Sequence, residues 1–504
     1  MPTHSIKHSS LVNLGGAVLP LLVTLLTLPL ILPLVGEFRY GALMLLWAVI
    51  GYLGVLDLGL GRAVSQRIAL LDVTNNAPEH DQTVTNALWA GVILSILMGL
   101  IGGVGLAAFA PWLSSTVFST PPELHAELES ALAWMILALP LATVSSVLMG
   151  ALQGRHAFVA LNIAQVIGGV LALIFPLLLA LNGVLDLGSL FLSMLAARGL
   201  QLWLLYRACR RVVSAAPLRL NRINQGLVEI PHLLRFGGWV SVSSILNPVL
   251  ELTDRFMIGH RLDLAAVTAY TVPYSLATRL SLVPGSLSSV LFPRFSSLGG
   301  VEAQALMLRA RLTLTTIMTP LIVLGILFVP TFLALWLGAE LGARMAPVAV
   351  ILLLGIWMNA LAFLPYSYLQ AQGRPDLPAK LHLLEVVPYL VFLWWAIGAW
   401  GIQGAALAWT LRVSLDSVLL FLVAHRQGTQ VKQASWRTIV SFLSAAALMI
   451  GAALLMLTGH ELYWTLGLGA GILVLLALWL WNNTPQELRD FAQALRQKFQ
   501  PRTP

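Results

Sequence analysis

Four arginines stand inside stretches that are otherwise apolar: Arg198, Arg255, Arg279 and Arg412. An ionisable side chain near the centre of a bilayer costs about 2.5–3.5 kcal/mol on insertion scales, so each of these cations needs compensation. Arg255 follows Glu251 by one turn, and Arg412 precedes Asp416 by one turn, so both could be neutralised within their own helices. Arg198 has no such neighbour, although its long stem could reach an interface. Arg279 lies near the middle of its apolar run with no carboxylate within a turn. Unpaired buried cations imply an anionic ligand. All four are Arg rather than Lys, and a guanidinium fork matches the oxygens of a diphosphate. At an effective dielectric of about 20, one such contact at about 4 Å is worth roughly 4 kcal/mol, so two or three offset the burial.

Acidic and aromatic residues surround these cations. Ser243, Ser244, Asn247, Glu251, Asp254 and Arg255 recur at helical spacing and form one hydrophilic stripe, as on the wall of an interior cavity. Tyr270, Tyr274, Ser275 and Thr278 precede Arg279 on the next apolar run. Asp254 has no obvious partner on its own helix. Asp254 and Glu251 could change protonation with the side to which they are exposed, and so couple movement to a proton gradient. Asp57, Asp416 and Glu385, the last beside His382, are further ion-coupling candidates. Each has a blander reading: Asp57 could cap its helix or pair with Arg62, and Glu385 and His382 lie within two turns of a membrane boundary.

No GxxxxGK[ST] phosphate loop, HExxH pair or Cys/His cluster occurs, and Cys209 is the only cysteine. No cofactor, metal or intramolecular disulfide is therefore expected, and no enzymatic activity. The longest outer loop, about residues 111–128, carries Glu123 and Glu127, with Glu129 just beyond; these three read most simply as a solvated face.

The elements that position these groups follow from composition. The chain has 504 residues, 58% hydrophobic and 10% charged, against about 25% charged in a soluble protein. That deficit excludes a water-soluble enzyme and a disordered scaffold, and 29 scattered basic residues make no nucleic-acid surface. Fourteen apolar runs long enough to span a membrane lie at about 10–35, 41–62, 83–110, 129–150, 158–181, 188–208, 236–259, 267–292, 306–336, 345–370, 378–399, 402–424, 437–458 and 462–482. Continuous apolar runs exclude the alternating strands of a barrel. The fold class is thus an all-α polytopic membrane protein of about fourteen transmembrane helices. The run after Lys7 is too long for a signal-peptide core, so it is expected to stay as the first helix. With both termini in the cytoplasm, 22 Lys and Arg fall on the cytoplasmic side and Arg39, Arg261 and Arg344 on the other.

The expected organisation is an N-terminal lobe of six helices (1–209), a basic cytoplasmic linker (210–235), a C-terminal lobe of six (236–425), two additional helices (426–482) and a tail (483–504). Gln153-Gly154-Arg155 ends the fourth helix and Gln372-Gly373-Arg374 the tenth. Each precedes a hairpin whose second helix bears a lone arginine, Arg198 or Arg412. Two related lobes with a substrate path between them are a transporter architecture. In the tail, Thr484, Pro485 and Glu487 start a helix whose Leu488, Phe491, Leu495 and Phe499 share a face, suited to lying on the cytoplasmic leaflet.

Gly36-Glu37-Phe38-Arg39-Tyr40-Gly41 with Asp57-Leu58-Gly59-Leu60-Gly61-Arg62-Ala63 resembles the opening hairpin of Wzx-type O-antigen and polysaccharide flippases. Asp254-Arg255-Phe256-Met257-Ile258-Gly259, Ala269-Tyr270-Thr271 and Leu291-Phe292-Pro293-Arg294-Phe295 resemble the seventh and eighth helices of the same group. The similarity covers about the first 425 residues, and its motifs are shared across the multidrug/oligosaccharidyl-lipid/polysaccharide superfamily. It implies a flippase that carries undecaprenyl-diphosphate-linked oligosaccharide from the cytoplasmic to the periplasmic leaflet of a bacterial inner membrane. It further implies alternating access around a cationic cavity of Arg279, Arg255, Arg412 and Arg198, with Asn247, Tyr270 and Tyr274 on its wall. Coupling to H+ or Na+ and contact with polysaccharide polymerase machinery are expected. A multidrug or cation antiporter, a peptidoglycan-precursor flippase and a membrane glycan-modifying enzyme are the alternatives. Four buried arginines disfavour the first, and the second lacks its basic N-terminal signature.

Overall fold

The computed structural model describes residues 3–53, 59–74, 79–118, 120–213, 252–427, 436–458 and 462–485. The described residues form helices joined by short turns, with no strand among them. Nine stretches of them are long and apolar enough to cross a membrane, and a shorter apolar helix covers Leu19–Val35. This is a multi-pass helical membrane protein. One of the nine, Asp376–Arg426, is itself two helices meeting at Gly401. The described residues therefore do not reach the expected count of fourteen. Asp57, Asn247, Glu251, the linker 214–235 and the tail from 486 lie outside them.

The chain divides into two compact units, Met1–Thr268 and Ala269–Pro504. The first contains α1 (Thr3–Val35), α2 (Glu37–Leu53), α3 (Leu60–Thr74), α4 (Glu79–Ala108), α5 (His125–Ala133), α6 (Met135–Gly154), α7 (Phe158–Leu181), α8 (Leu187–Val212) and α9 (252–261). Helix α10 (Leu264–Thr278) runs across the boundary between the units.

Helix α3 departs from the expected pattern, in which the second span runs on to residue 62. Gly59 adopts φ 68° and starts a fresh helix of 15 residues, too short to span a bilayer. Leu60, Ala63, Val64 and Ile68 put one apolar face of α3 into a core with Val84, Leu88, Val147, Leu148 and Ala151. The backbones of α3 and α6 touch: a Cβ on Gly150 would overlap the carbonyl of Gly61. Helix α6 is also tied to α4, where Thr143 Oγ1 donates to the Ser95 carbonyl at 2.7 Å.

The second unit contains α11 (Leu282–Ser297), α12 (Gly300–Leu337), α13 (Ala339–Ala371), α14 (Asp376–Gln427), α15 (Trp436–Leu457) and α16 (Leu462–Asn483). Polar side chains satisfied by backbone hold its ends together. Gln372 Nε2 donates to the Phe295 carbonyl at 2.6 Å, and Gln304 Nε2 to that of His425 at 3.2 Å. Gly401, at φ 58° and ψ −137°, bends α14 into two arms, a conformation that L side chains avoid. The two Gln-Gly-Arg turns are built differently. In the first the left-handed residue is His156 (φ 55°), whereas in the second it is Gly373 (φ 74°). The second turn is further closed by Arg374 and Lys380 on Asp376, at 3.0 and 2.9 Å.

Candidate functional site

In the first unit α2 and α8 carry the central contact. The Arg198 guanidinium carbon, on α8, stands 4.5 Å from the Trp47 ring centroid on α2. Its Nε is buried and has no hydrogen-bond partner among the described residues. A guanidinium on an aromatic face keeps its charge and leaves its fork unspent, because the ring quadrupole attracts the cation without taking its N–H groups.

An anchor near the start of both helices sets this register. Arg39 of α2 reaches Glu127 of α5 through Nε and Nη2, both at 2.7 Å, and Glu127 also accepts the Leu187 N–H at 3.2 Å, where α8 begins. That hydrogen-bonded carboxylate raises the Arg39 pKa above its ordinary value. Asp186 caps α8 by accepting the Ser189 N–H at 2.8 Å. At 1.5 Å per residue, Trp47 lies about 12 Å along α2 from Arg39 and Arg198 about 16 Å along α8 from Leu187, so parallel helices meet there. Glu127 is thus a tie among three elements rather than the solvated residue expected from sequence. Glu129 is also engaged, accepting from Ser114 Oγ at 2.9 Å.

Asp254 and Arg255 are both buried on α9. Asp254 Oδ1 accepts the Arg255 backbone N–H at 2.7 Å, so the carboxylate that lacked an obvious partner in the sequence has a local one. Arg255 Nε is buried as well.

In the second unit Tyr270 and Tyr274 stack with centroids 5.8 Å apart, and Tyr274 meets the Trp409 ring edge-on at 5.5 Å. Tyr270 is fully buried, so it packs the unit rather than lining open space. Arg279 occupies a 3-10 turn, Arg279–Ser281, within the expected eighth span. Its side chain is exposed.

Arg412 lies on the second arm of α14, with its guanidinium carbon 5.2 Å from the Tyr389 centroid on the first arm. The expected neutralisation by Asp416 is not among the ion pairs of the described residues. Asp416 instead faces His382, whose Nε2 is 3.4 Å from Oδ1. The His382 ring stacks on Tyr366 of α13 at 6.1 Å. Glu385 is buried beside Asp416, within Coulombic reach of Arg412 and His382.

Sequence reasoning missed the aromatic partners Trp47, Tyr389 and Tyr366, because a ring in an apolar run carries no visible sign of its cation. The structure holds Arg311 on α12 between Phe421 and Phe442, at 4.8 and 5.1 Å. The short helix α3 had a legible signal, since its apolar residues recur at i, i+3, i+4 and i+8.

Membrane helices in two compact units, with arginines on aromatic faces and acidic residues buried beside one of them, define a polytopic membrane protein. Residues 6–299 match the family described as polysaccharide biosynthesis protein. The chain belongs to that family. It is 26% identical over 421 residues to a Shigella flexneri protein described as a candidate O-antigen transporter, covering 82% of this chain and 97% of that one. Its fold is similar to that of an inward-facing multidrug resistance MATE family transporter of the MOP superfamily, at 14% identity and TM-score 0.64, over 82% of this chain and 98% of the other. It is also similar to a MOP superfamily transporter from Pyrococcus furiosus with a binding pocket of reverse polarity, at 17% identity and TM-score 0.56, over 82% and 93%.

Proposed function

We propose that this protein is a flippase that carries an undecaprenyl-diphosphate-linked oligosaccharide, the repeat unit of an O-antigen or another surface polysaccharide, across a bacterial inner membrane. The substrate enters from the cytoplasmic leaflet and leaves into the periplasmic one by alternating access, with both termini in the cytoplasm. The observation that carries the reading is the pair Arg198 and Arg412, each seated on an aromatic ring, Trp47 or Tyr389. These two cations stand at equivalent places in the two halves of the sequence. Neither belongs to an ion pair among the described residues, so each retains N–H donors for a phosphate.

Arg255 and the exposed Arg279 extend the cationic set. Asn247 remains a substrate-binding candidate and Glu251 an ion-coupling candidate on the grounds of the sequence. The prenyl tail stays in lipid while diphosphate and glycan cross. Movement draws on an ion gradient, H+ or Na+, and the product passes to polysaccharide polymerase machinery. No bond of the substrate is made or broken.

A cation antiporter is favoured by one observation, the buried Glu385 and Asp416 of the second unit. Purified protein in proteoliposomes separates the readings. Fluorescent undecaprenyl-diphosphate glycan placed in one leaflet should become accessible to an impermeant glycosidase on the other side, intact and at a rate set by the protein. Transport of lipophilic cations with no movement of the glycan would reject the flippase.

A further inference from the structure

Arg311 of α12 has no part in the transport reading. Its guanidinium is clamped between two rings, Phe421 on the second arm of α14 and Phe442 on α15, at 4.8 and 5.1 Å. A further layer backs the clamp. Phe442 stacks on Trp357 of α13 at 5.0 Å, and Trp357 Nε1 donates to Thr319 Oγ1 of α12 at 3.2 Å. Rings attract a cation through their faces and take none of its N–H groups. Among the described residues the Arg311 side chain has no ion pair and no hydrogen bond, and it is half-buried rather than sealed. Phe421 lies nine positions beyond Arg412, about 13 Å along the helix, so this cation is distinct from the one on Tyr389.

A groove of about 1080 Å³ begins beside it, between α12, α15 and α16. Leu312, next to Arg311, and Ser441, next to Phe442, line one end together with Asn482 and Asn483. The buried Trp479 lies there too, its Nε1 donating to the Ser441 carbonyl at 3.2 Å and to Ser444 Oγ at 3.0 Å. From that polar end the groove runs on past Gly451 of α15 and Ile472 of α16, about 15 Å along each helix. Val440 and Leu475 on its walls are exposed, and a Cβ on Gly451 would meet nothing within 4 Å. Neither α15 nor α16 carries an acidic residue.

A slot with a polar end, an apolar length and an unspent guanidinium at the polar end has the shape of one lipid molecule. We infer that the groove holds a bilayer phospholipid of net negative charge, with its phosphate on Arg311 and an acyl chain between α15 and α16. Lipid tails are as apolar as leucine, so the apolar length alone prefers no lipid over another. Selection comes from the phosphate, which the planar fork matches. A zwitterionic headgroup brings its own ammonium to compete with the guanidinium, and an anionic one does not. The start of α15 and the end of α16 lie on the side where the Lys and Arg distribution puts the cytoplasm, whose leaflet is rich in anionic lipid. The bound lipid ties α12, α15 and α16 together from outside, whatever the cargo is.

The test uses the purified full chain in detergent, titrated with phosphatidylglycerol or phosphatidylcholine. Bound lipid is counted by native mass spectrometry and the thermal midpoint is followed in parallel. Wild-type protein should retain phosphatidylglycerol roughly 5-fold better, the preference that one basic residue gives, and its midpoint should rise with that lipid. Arg311→Gln should lose the preference, and Arg311→Lys should keep part of it. Gly451→Leu fills the groove in open space and leaves Arg311 in place, so it should lose retention of both lipids; it decides the matter if Arg311→Gln fails to fold. Equal retention of the two lipids by the wild type would overturn the inference. So would a preference that survives Arg311→Gln, or retention unchanged in Gly451→Leu. Displacement of phosphatidylglycerol by an equal concentration of undecaprenyl diphosphate would give the groove to the cargo and overturn it as well.

Discussion

Arg198 and Trp47 lie face to face, 4.5 Å from guanidinium carbon to ring centroid, on two helices that share an anchor at Glu127. The ring steadies the cation without consuming its donors. A desolvated cation–π contact is worth about 2 kcal/mol. Arg198→Ala should abolish glycan export while the protein still inserts, and Arg198→Lys should retain part of it because charge survives and the planar fork does not. Trp47→Leu should lower export roughly 5- to 30-fold, the factor that corresponds to 1–2 kcal/mol. Export in cells lacking the native gene is the measurement, and full activity of Arg198→Ala would refute an anion-binding role.

The Arg412 and Tyr389 contact makes a parallel case in the second unit. Tyr389→Phe keeps the aromatic face, so the cation–π contact and export should both persist, whereas Tyr389→Leu should behave like the Trp47 variant. Equal loss in both Tyr389 variants would show that the hydroxyl, rather than the ring, matters. A tritiated lipid-linked substrate with purified variants would read this directly as binding.

Glu127 is the tie that brings α2, α5 and α8 into register. Hydrogen bonds to charged groups contribute about 1.5–3 kcal/mol, and this carboxylate makes three bonds with its side chain only a quarter exposed. Glu127→Gln should lower the thermal midpoint in detergent and also weaken export, because Trp47 and Arg198 lose their common anchor. Substitution of Arg39 by Met in the same chain should cost little more than either change alone, since both remove one contact. Additive losses would mean that the two residues act separately.

Arg279 sits exposed on its 3-10 turn, so truncation removes no packing. Arg279→Ala should therefore leave the thermal midpoint within error of wild type and abolish export, with Arg279→Lys partly defective. A stability loss that accounts for the lost export would reassign Arg279 to a structural role.

Gly401 holds α14 in a backbone region costing a non-glycine residue about 1–3 kcal/mol. Gly401→Ala should destabilise the second unit by that amount. Native-state proteolysis would report it, and wild-type resistance would show that the bend tolerates a side chain.

Much of this molecule is legible from its sequence because bilayer thickness dictates helix length and hydrocarbon admits no unpaired backbone. The run at 158–181 coincides with a helix, Phe158–Leu181, and the runs at 378–399 and 402–424 fall on the two arms either side of Gly401. Helix α3 escaped the span count because it is too short to register as apolar length. The 3-10 turn within the eighth run was not legible because it turns on local backbone geometry at Arg279.

The lone arginines Arg198 and Arg412, in the sixth and twelfth apolar runs, were likewise visible as residues out of place. Their partners were not. Trp47 is 151 positions before Arg198, Glu127 is 88 beyond Arg39, and Asp416 is 34 beyond His382, and no local periodicity links such positions. Chain order sets which residue types are available, one hydrophobic run at a time. Only packing, which brings distant helix faces within a few ångströms, decided that an arginine would rest on a ring and that Glu385 and Asp416 would both be buried.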